Sequence, residues 1–196
     1  MNTEPYKDQL IEHLSMRIDL TEKEKQTIRE AYSLIEIKKK KHLFEQGSTC
    51  QLEAFVVKGT FRVYYIDLKG LEHVLYFAFK DWWVGDIASF NSGEPSGLNA
   101  QAMEDSLLLV IDREKKEKLL KDVPSLEKFF RVITQKHLTV LQKRFLLTIS
   151  ASAAERYQEL LHRSPGIEQL VPQHQIASYL GILPESLSRM KKQLLK

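Results

Sequence analysis

The chain has a single cysteine, Cys50, in 196 residues. An internal disulfide takes two thiols and a cysteine-ligated iron–sulfur cluster takes several, so both are excluded. Cys50 has no histidine near it in sequence, which marks it as a structural thiol rather than a nucleophile. No apolar run reaches the roughly eighteen residues of a membrane-spanning helix. The opening MNTEPYKDQL has neither the basic start nor the apolar stretch of a secretory leader, and a cytoplasmic protein without membrane association is expected. The six histidines, among them His13, His42, His73, His162 and His174, form no pair at helical spacing and lie near no cysteine cluster, so no metal site is expected. His73, in a strand-like stretch, reads as an ordinary strand histidine rather than a haem ligand. No G-x-S-x-G, Walker loop, H-E-x-x-H or glycine-rich dinucleotide loop is present, and the chain does not read as an enzyme.

What is present is most specific at the carboxyl end. In LVPQHQIASYLGILPESLSRMKKQLLK, Ile176, Ala177 and Leu180 share one helical face from Pro172 to Leu180. Pro172 suits a helix start, and Gly181 suits an exit through a left-handed residue. Gly181, Ile182 and Leu183 then separate this helix from one opened by Pro184, in which Leu187, Met190 and Leu194 recur at spacings of three and four. Small Ala177 permits close helix crossing, and the layout is that of a helix-turn-helix. Leu183 stands where a Ser or Thr would cap the second helix, a loss of about 1 kcal/mol. The net charge of the chain is only +3, yet the segment from Glu185 onward carries Arg189, Lys191, Lys192 and Lys196 against one acid, enough to account for all of it. Such a cluster attracts phosphate. The guanidinium of Arg189 can donate two bonds to guanine O6 and N7, and Glu185 can accept from cytosine N4. Gln173, Ser186 and Ser188 are further contact candidates, while Lys191 and Lys192 suit the backbone, which positions without specifying. The competing reading is an amphipathic hairpin that merely closes a core.

Upstream, Leu10 to Ser33 read as two helical pieces, with Ile28, Tyr32 and Ile35 in register and a Thr21–Glu24 capping box. From Lys38 to Ile111, short runs rich in Val, Phe, Tyr and Leu alternate with glycine-containing turns, as in an antiparallel roll or barrel. AFVVKGTFRVYY reads as its clearest hairpin, with Lys58-Gly59 at the tip. After Pro124 the helical period returns. Leu126, Phe130, Ile133, His137, Val140, Arg144 and Leu147 form one seven-residue repeat, with Phe129, Leu138, Leu141 and Phe145 on adjoining positions. A helix with two apolar stripes can pack one on its own domain and pair the other with a second copy, and the named repeat is the expected dimer seam. Ser152 and Glu155 form another capping box at the start of a helix from Ala153 to Arg163. The fold class is therefore α+β: a β-roll domain with flanking helices over 1–123, a connecting and dimerising helix over 124–150, and a helix-turn-helix domain over 151–196.

This combination resembles the Crp/Fnr superfamily of bacterial transcription regulators over nearly the whole chain, most specifically in QIASYLGILPESLSRMKK. HLFEQGS, FVVKGTFRVYY and VGDIASF are similar to segments of the cyclic-nucleotide-binding-domain fold. The resemblance implies a homodimer whose two recognition helices enter successive major grooves, roughly 34 Å apart, with double-stranded DNA as partner and RNA polymerase as a candidate second one. The family's nucleotide cassette pairs G-E-(apolar) with an Arg-Ser pair about ten residues on. Here Gly85, Asp86 and Ile87 fit the first part, Ser96-Gly97 stands at the second, and no Arg or Lys occurs from Gly85 to Leu98. A cyclic phosphate has no cationic partner in that loop, so cyclic AMP and cofactors generally are not expected. An effector pocket, if used, would involve Trp83, Gly85, Asp86, Ile87, Ser96 and Gly97, although Trp82 and Trp83 read first as packing residues. A sensor or interaction module with the same fold that does not read DNA is the alternative.

Overall fold

The computed structural model describes residues 3–194, so Lys196 of the basic cluster lies outside the described residues. Two helices come first, α1 (Glu4–Ser15) and α2 (Glu22–Ala31). The predicted capping box is formed: Thr21 Oγ1 accepts from Glu24 N–H (3.3 Å) and the Glu24 carboxylate accepts from Thr21 N–H (2.8 Å). The helical register stops at Ala31, and Ile35, expected to continue it, lies in the first strand.

Eight strands follow: β1 (Ser33–Ile37), β2 (His42–Phe44), β3 (Leu52–Lys58), β4 (Phe61–Ile66), β5 (Glu72–Ala78), β6 (Trp83–Val84), β7 (Asn99–Ala102) and β8 (Ser106–Asp112), with a short helix α3 (Ile87–Ser92) after β6. They make two antiparallel sheets, ordered β1-β8-β3-β6 and β2-β7-β4-β5, stacked as a jelly-roll-like double layer. The expected β3–β4 hairpin is not formed. The two strands belong to different sheets, and Lys58-Gly59-Thr60 carries the chain across the layer. Ala54–Val57 and Phe61–Tyr64 are buried at every position, so both faces of each strand are covered. Gly59 has φ +104° and a Cβ there would stand 2.1 Å from Ser106 Oγ, which restricts the crossing to glycine. The true hairpin joins β4 to β5 over Asp67–Gly70.

Three cores result. Between the sheets lie Val56, Phe61, Val63, Ala100, Leu108 and Val110. On the outer side of the β3–β8 sheet, Phe55 and Leu109 meet α1, α2, α4 (Arg113–Asp122) and the start of α5 (Ser125–Ser150) through Leu10, Ile28, Leu119 and Phe129. Against β4 and β5, Tyr64, Val74 and Phe77 join Tyr157, Ile176 and Tyr179 of the C-terminal helices α6 (Ala153–Arg163), α7 (Ile167–Leu170), α8 (Gln173–Leu180) and α9 (Pro184–Leu194). Among the described residues no helix is long and apolar enough to cross a membrane.

The third core sits on a sheet edge. Among the described residues β5 has only β4 beside it, so its outer backbone groups need partners. Ser178 of α8 supplies them, accepting from Val74 N–H (3.1 Å) and donating to Glu72 O (2.7 Å). Arg144 of α5 donates to Val74 O (3.1 Å), Tyr179 O (2.8 Å) and Leu75 O, with its guanidinium 4.0 Å from the centre of the Tyr179 ring. Buried Arg62 donates to Gln175 Oε1 of α8 (2.8 Å) and Gln101 Oε1 (2.9 Å), and pairs with Glu72 over the Tyr64 ring. Ser178→Ala strands the buried Val74 amide and is expected to cost about 1–3 kcal/mol, with faster hydrogen exchange at Val74 but not in β8. Unchanged exchange at Val74 would show that the edge is satisfied in another way.

Candidate nucleic-acid interface and effector cleft

The C-terminal helices hold two faces apart. α8 begins at Gln173, with Pro172 at its cap position rather than inside the first turn, and leaves through Gly181 at φ +68°. Ile182 N–H bonds back to Ala177 O (3.1 Å), which closes the turn. Fully buried Ala177 and Leu187 occupy the crossing of α8 and α9, with Met190 half-buried beside them. Leu194, expected on that buried stripe, is exposed at the helix end.

Glu185, Ser188, Arg189 and Lys192 are exposed on α9, as is Gln173 at the start of α8, while Ser186 is half-buried. Among the described residues Arg189 Nη2 reaches Ser186 Oγ alone, at 3.5 Å, so its guanidinium stays available. Lys191 departs from the expectation of a phosphate contact. Its ammonium is ion-paired to Glu168 of α7, whose carboxylate also accepts from Tyr157 OH of α6 (2.6 Å). The Lys191 and Tyr157 bonds hold the Glu168 carboxyl below the usual carboxylate range. Lys191 therefore ties α9 to its own domain.

Along α5 the structure redistributes the expected seam. Leu126 is in the roll core and Phe130 and Ile133 pack against it. Arg144 is spent on β5 and Tyr179, and half-buried Leu147 borders a cleft shared with α6 and α8. His137, Val140 and Leu141 border a cleft against the roll, yet all three are exposed. The exposed apolar residues of α5 are Leu138, Val140, Leu141, Phe145, Leu146 and Ile149, of which Phe145 and Ile149 are 65% and 68% exposed. The stripe named in the sequence is mainly the inward one, and the adjoining stripe is free.

The cassette turn is built around a satisfied carboxylate. Asp86 accepts from Ala88 N–H (3.0 Å), Ser89 N–H (3.2 Å) and Ser96 Oγ–H (2.7 Å), so it caps α3 and ties down buried Ser96. Gly85 and exposed Ile87 flank it, and Gly97 is exposed. Arg113, which follows β8, donates to Phe90 O (2.6 Å) and so serves the end of α3. Two clefts adjoin the turn. One of about 220 Å³ is lined mostly by apolar side chains, with Tyr76, Trp82, Leu98 and Leu141 beside His137 and Arg163. The other, about 140 Å³, lies towards α4 and is bordered by Glu53, Trp83 and Lys116. Trp83 does not offer a stacking face: its ring packs on Phe55 (5.4 Å) and Phe130 (5.1 Å) in the core. Sequence reasoning missed Arg62, Gln175, Ser178 and Glu168, although a lone arginine within the apolar run FRVYYI is a visible signal of a buried polar contact.

Residues 34–123 match the family model described as cyclic nucleotide-binding domain. Among curated proteins no relative matches the chain. Solved structures share the fold over most of the chain. FixK2 from Bradyrhizobium japonicum is 20% identical, with TM-score 0.71 over 83% of this chain and 84% of its own. The c-di-GMP responsive global regulator CLP of Xanthomonas campestris is 16% identical, with TM-score 0.73 over 89% and 92%. The Thermus thermophilus catabolite activator protein is 22% identical, with TM-score 0.59 over 93% and 86%. Residues 34–123 thus match a cyclic nucleotide-binding domain, and the chain shares its fold with these solved proteins.

Proposed function

We propose that the chain is a homodimeric, sequence-specific DNA-binding transcription regulator, not an enzyme, whose roll domain does not take cyclic AMP. The observation that carries this reading is the outward presentation of Arg189, Glu185 and Ser188 on α9, a helix whose opposite side is anchored by buried Leu187. The three solved neighbours point the same way, two of them being named as a regulator and an activator. Arg189 and Glu185 read base edges, and Lys192 and Gln173 approach the backbone. Lys191 serves as a strut within the domain. The domain division at 123/124 and 150/151 is supported by the start of α5 at Ser125 and of α6 at Ala153.

The dimer contact is assigned to Leu138, Leu141, Phe145, Leu146 and Ile149. Leu138, Leu141, Phe145 and Ile149 recur at spacings of three and four along one stripe, with Leu146 at its margin, and a contiguous apolar stripe of this kind on α5 suits a second copy of the same helix. The cassette does not fit a cyclic phosphate, because Asp86 supplies negative charge and the turn has no cation. The larger cleft suits an apolar effector.

Genome-wide selection of bound fragments by the purified protein is expected to enrich a two-fold-symmetric motif. On that duplex Arg189→Ala should cost about 1–3 kcal/mol concentrated at one base pair, whereas Lys192→Ala should weaken all sequences alike. Equal, unselective losses would favour the interaction-module reading.

Leu141→Glu with Phe145→Glu is expected to leave the fold intact and yield monomers in sedimentation, each site worth about 2 kcal/mol or more. Arg144→Ala should instead destabilise the subunit, and the reverse pattern would restore the inward stripe as the seam.

Tryptophan fluorescence should show no saturable change on titration with micromolar cyclic AMP, and a saturable change would overturn the proposed cassette chemistry.

A further inference from the structure

Where α5, α6 and the end of α8 meet, four cations surround one cleft of about 40 Å³: Lys143 and Arg144 from α5, Arg156 and Arg163 from α6. Among the described residues the one acid on its wall is Glu159, and that carboxylate is ion-paired with Lys143 (2.6 Å). The three arginines bond to neutral oxygens instead, and all three converge on the last two residues of α8. Arg144 donates to Tyr179 O (2.8 Å), Arg163 Nη2 to Tyr179 OH (3.1 Å) and Arg156 Nη2 to Leu180 O (3.1 Å). Neither the cassette turn nor the outward face of α9 contributes to this cleft.

The end of a helix leaves carbonyls without partners, and arginines suit them. That end carries about half a negative charge, however, so most of the positive charge gathered here is uncompensated. Two further observations mark it as unspent. Arg156 Nε–H is buried with no acceptor among the described residues, which carries the cost of an unmade hydrogen bond. Burial above all, and with it the charge of Arg163, holds the Arg144 guanidinium below its ordinary proton affinity, so these two cations repel each other.

We propose that this cleft binds a small phosphorylated anion by its phosphoryl head. A space of about 40 Å³ admits a group of a few heavy atoms and leaves the remainder of a larger molecule outside. A planar carboxylate is matched by one guanidinium fork, whereas a tetrahedral phosphoryl group offers acceptor oxygens in several directions, as donors from three guanidinium groups on two helices require. The bound anion bridges α5 to α6 and neutralises the repulsion between Arg144 and Arg163.

The test titrates the full chain calorimetrically with inorganic phosphate and with glycerol 3-phosphate, against acetate at matched ionic strength. Saturable binding at one site per protomer is expected for the phosphates and none for acetate. Binding of both identifies free phosphate as a sufficient ligand, and binding of glycerol 3-phosphate alone identifies an esterified one. Arg163→Gln, at an exposed residue, should weaken binding about 10-fold or more by removing a charge-assisted contact. Glu159→Gln takes the acid from the wall and should strengthen binding several-fold. Thermal midpoints report whether each variant keeps its fold, and if Arg163→Gln lowers the midpoint the opposite shift in Glu159→Gln carries the test. No saturable heat with either phosphate, equal heat with acetate, or affinities that neither substitution moves overturn the proposal. The titration contains no nucleic acid, so its outcome is separate from that of the DNA-binding reading.

Discussion

The outer edge of β5 is the constraint from which the rest follows. A sheet edge exposes a row of backbone donors and acceptors, and here they are taken by side chains of two helices that belong to other parts of the chain. Ser178 and Arg144 act on neighbouring residues of the same strand, while Arg62 reaches out from the adjacent strand to Gln175. Because hydrogen bonds are directional, this contact fixes orientation as well as proximity, which loose apolar packing of Phe77 on Tyr179 alone would not do. The position of α9 is inherited from α8, and that of α8 from a strand.

The same contact explains the division of labour along α5. A helix of this length has room for two stripes, and the residues that face β5, α6 and α8 are those with a polar atom to spend, as with Arg144, or with a roll core to meet, as with Leu126 and Phe130. The purely apolar remainder is displaced to the opposite side. Burying Cys50 belongs to the same economy of the roll: burial first of all raises its thiol pKa, which leaves it unreactive packing.

Features written in local chemistry were legible. The Gly181 turn, the two capping boxes and the α6 limits from Ala153 to Arg163 each follow from residues within one or two helical turns. Features set by long-range burial were not. The crossing at Gly59 looks like a hairpin because both flanking strands are apolar throughout, and only the neighbouring Ser106 explains the glycine. Arg113–Asp122 is so rich in charge that its helix rests on Leu119 and the Asp112 cap, too little to stand out in a periodic pattern. The choice between the stripes of α5 depended on partners far along the chain. Lys191 looked free because Glu168 lies 23 positions away. The size of Trp83 points to packing, and it lies among the rings of Phe55, Phe129 and Phe130.

α5 ends at Ser150 and α6 starts at Ala153, with Ser152 committed to the cap of α6 and Ala151 bonded through its N–H to Leu147 O and through its carbonyl to Arg156, so a rod about 39 Å long meets the C-terminal helices at a tied corner. A corner so short leaves little slack. A tilt of the rod relative to the roll would have to break the hydrogen bonds of Arg144 and Ser178 along β5 before α9 could be displaced.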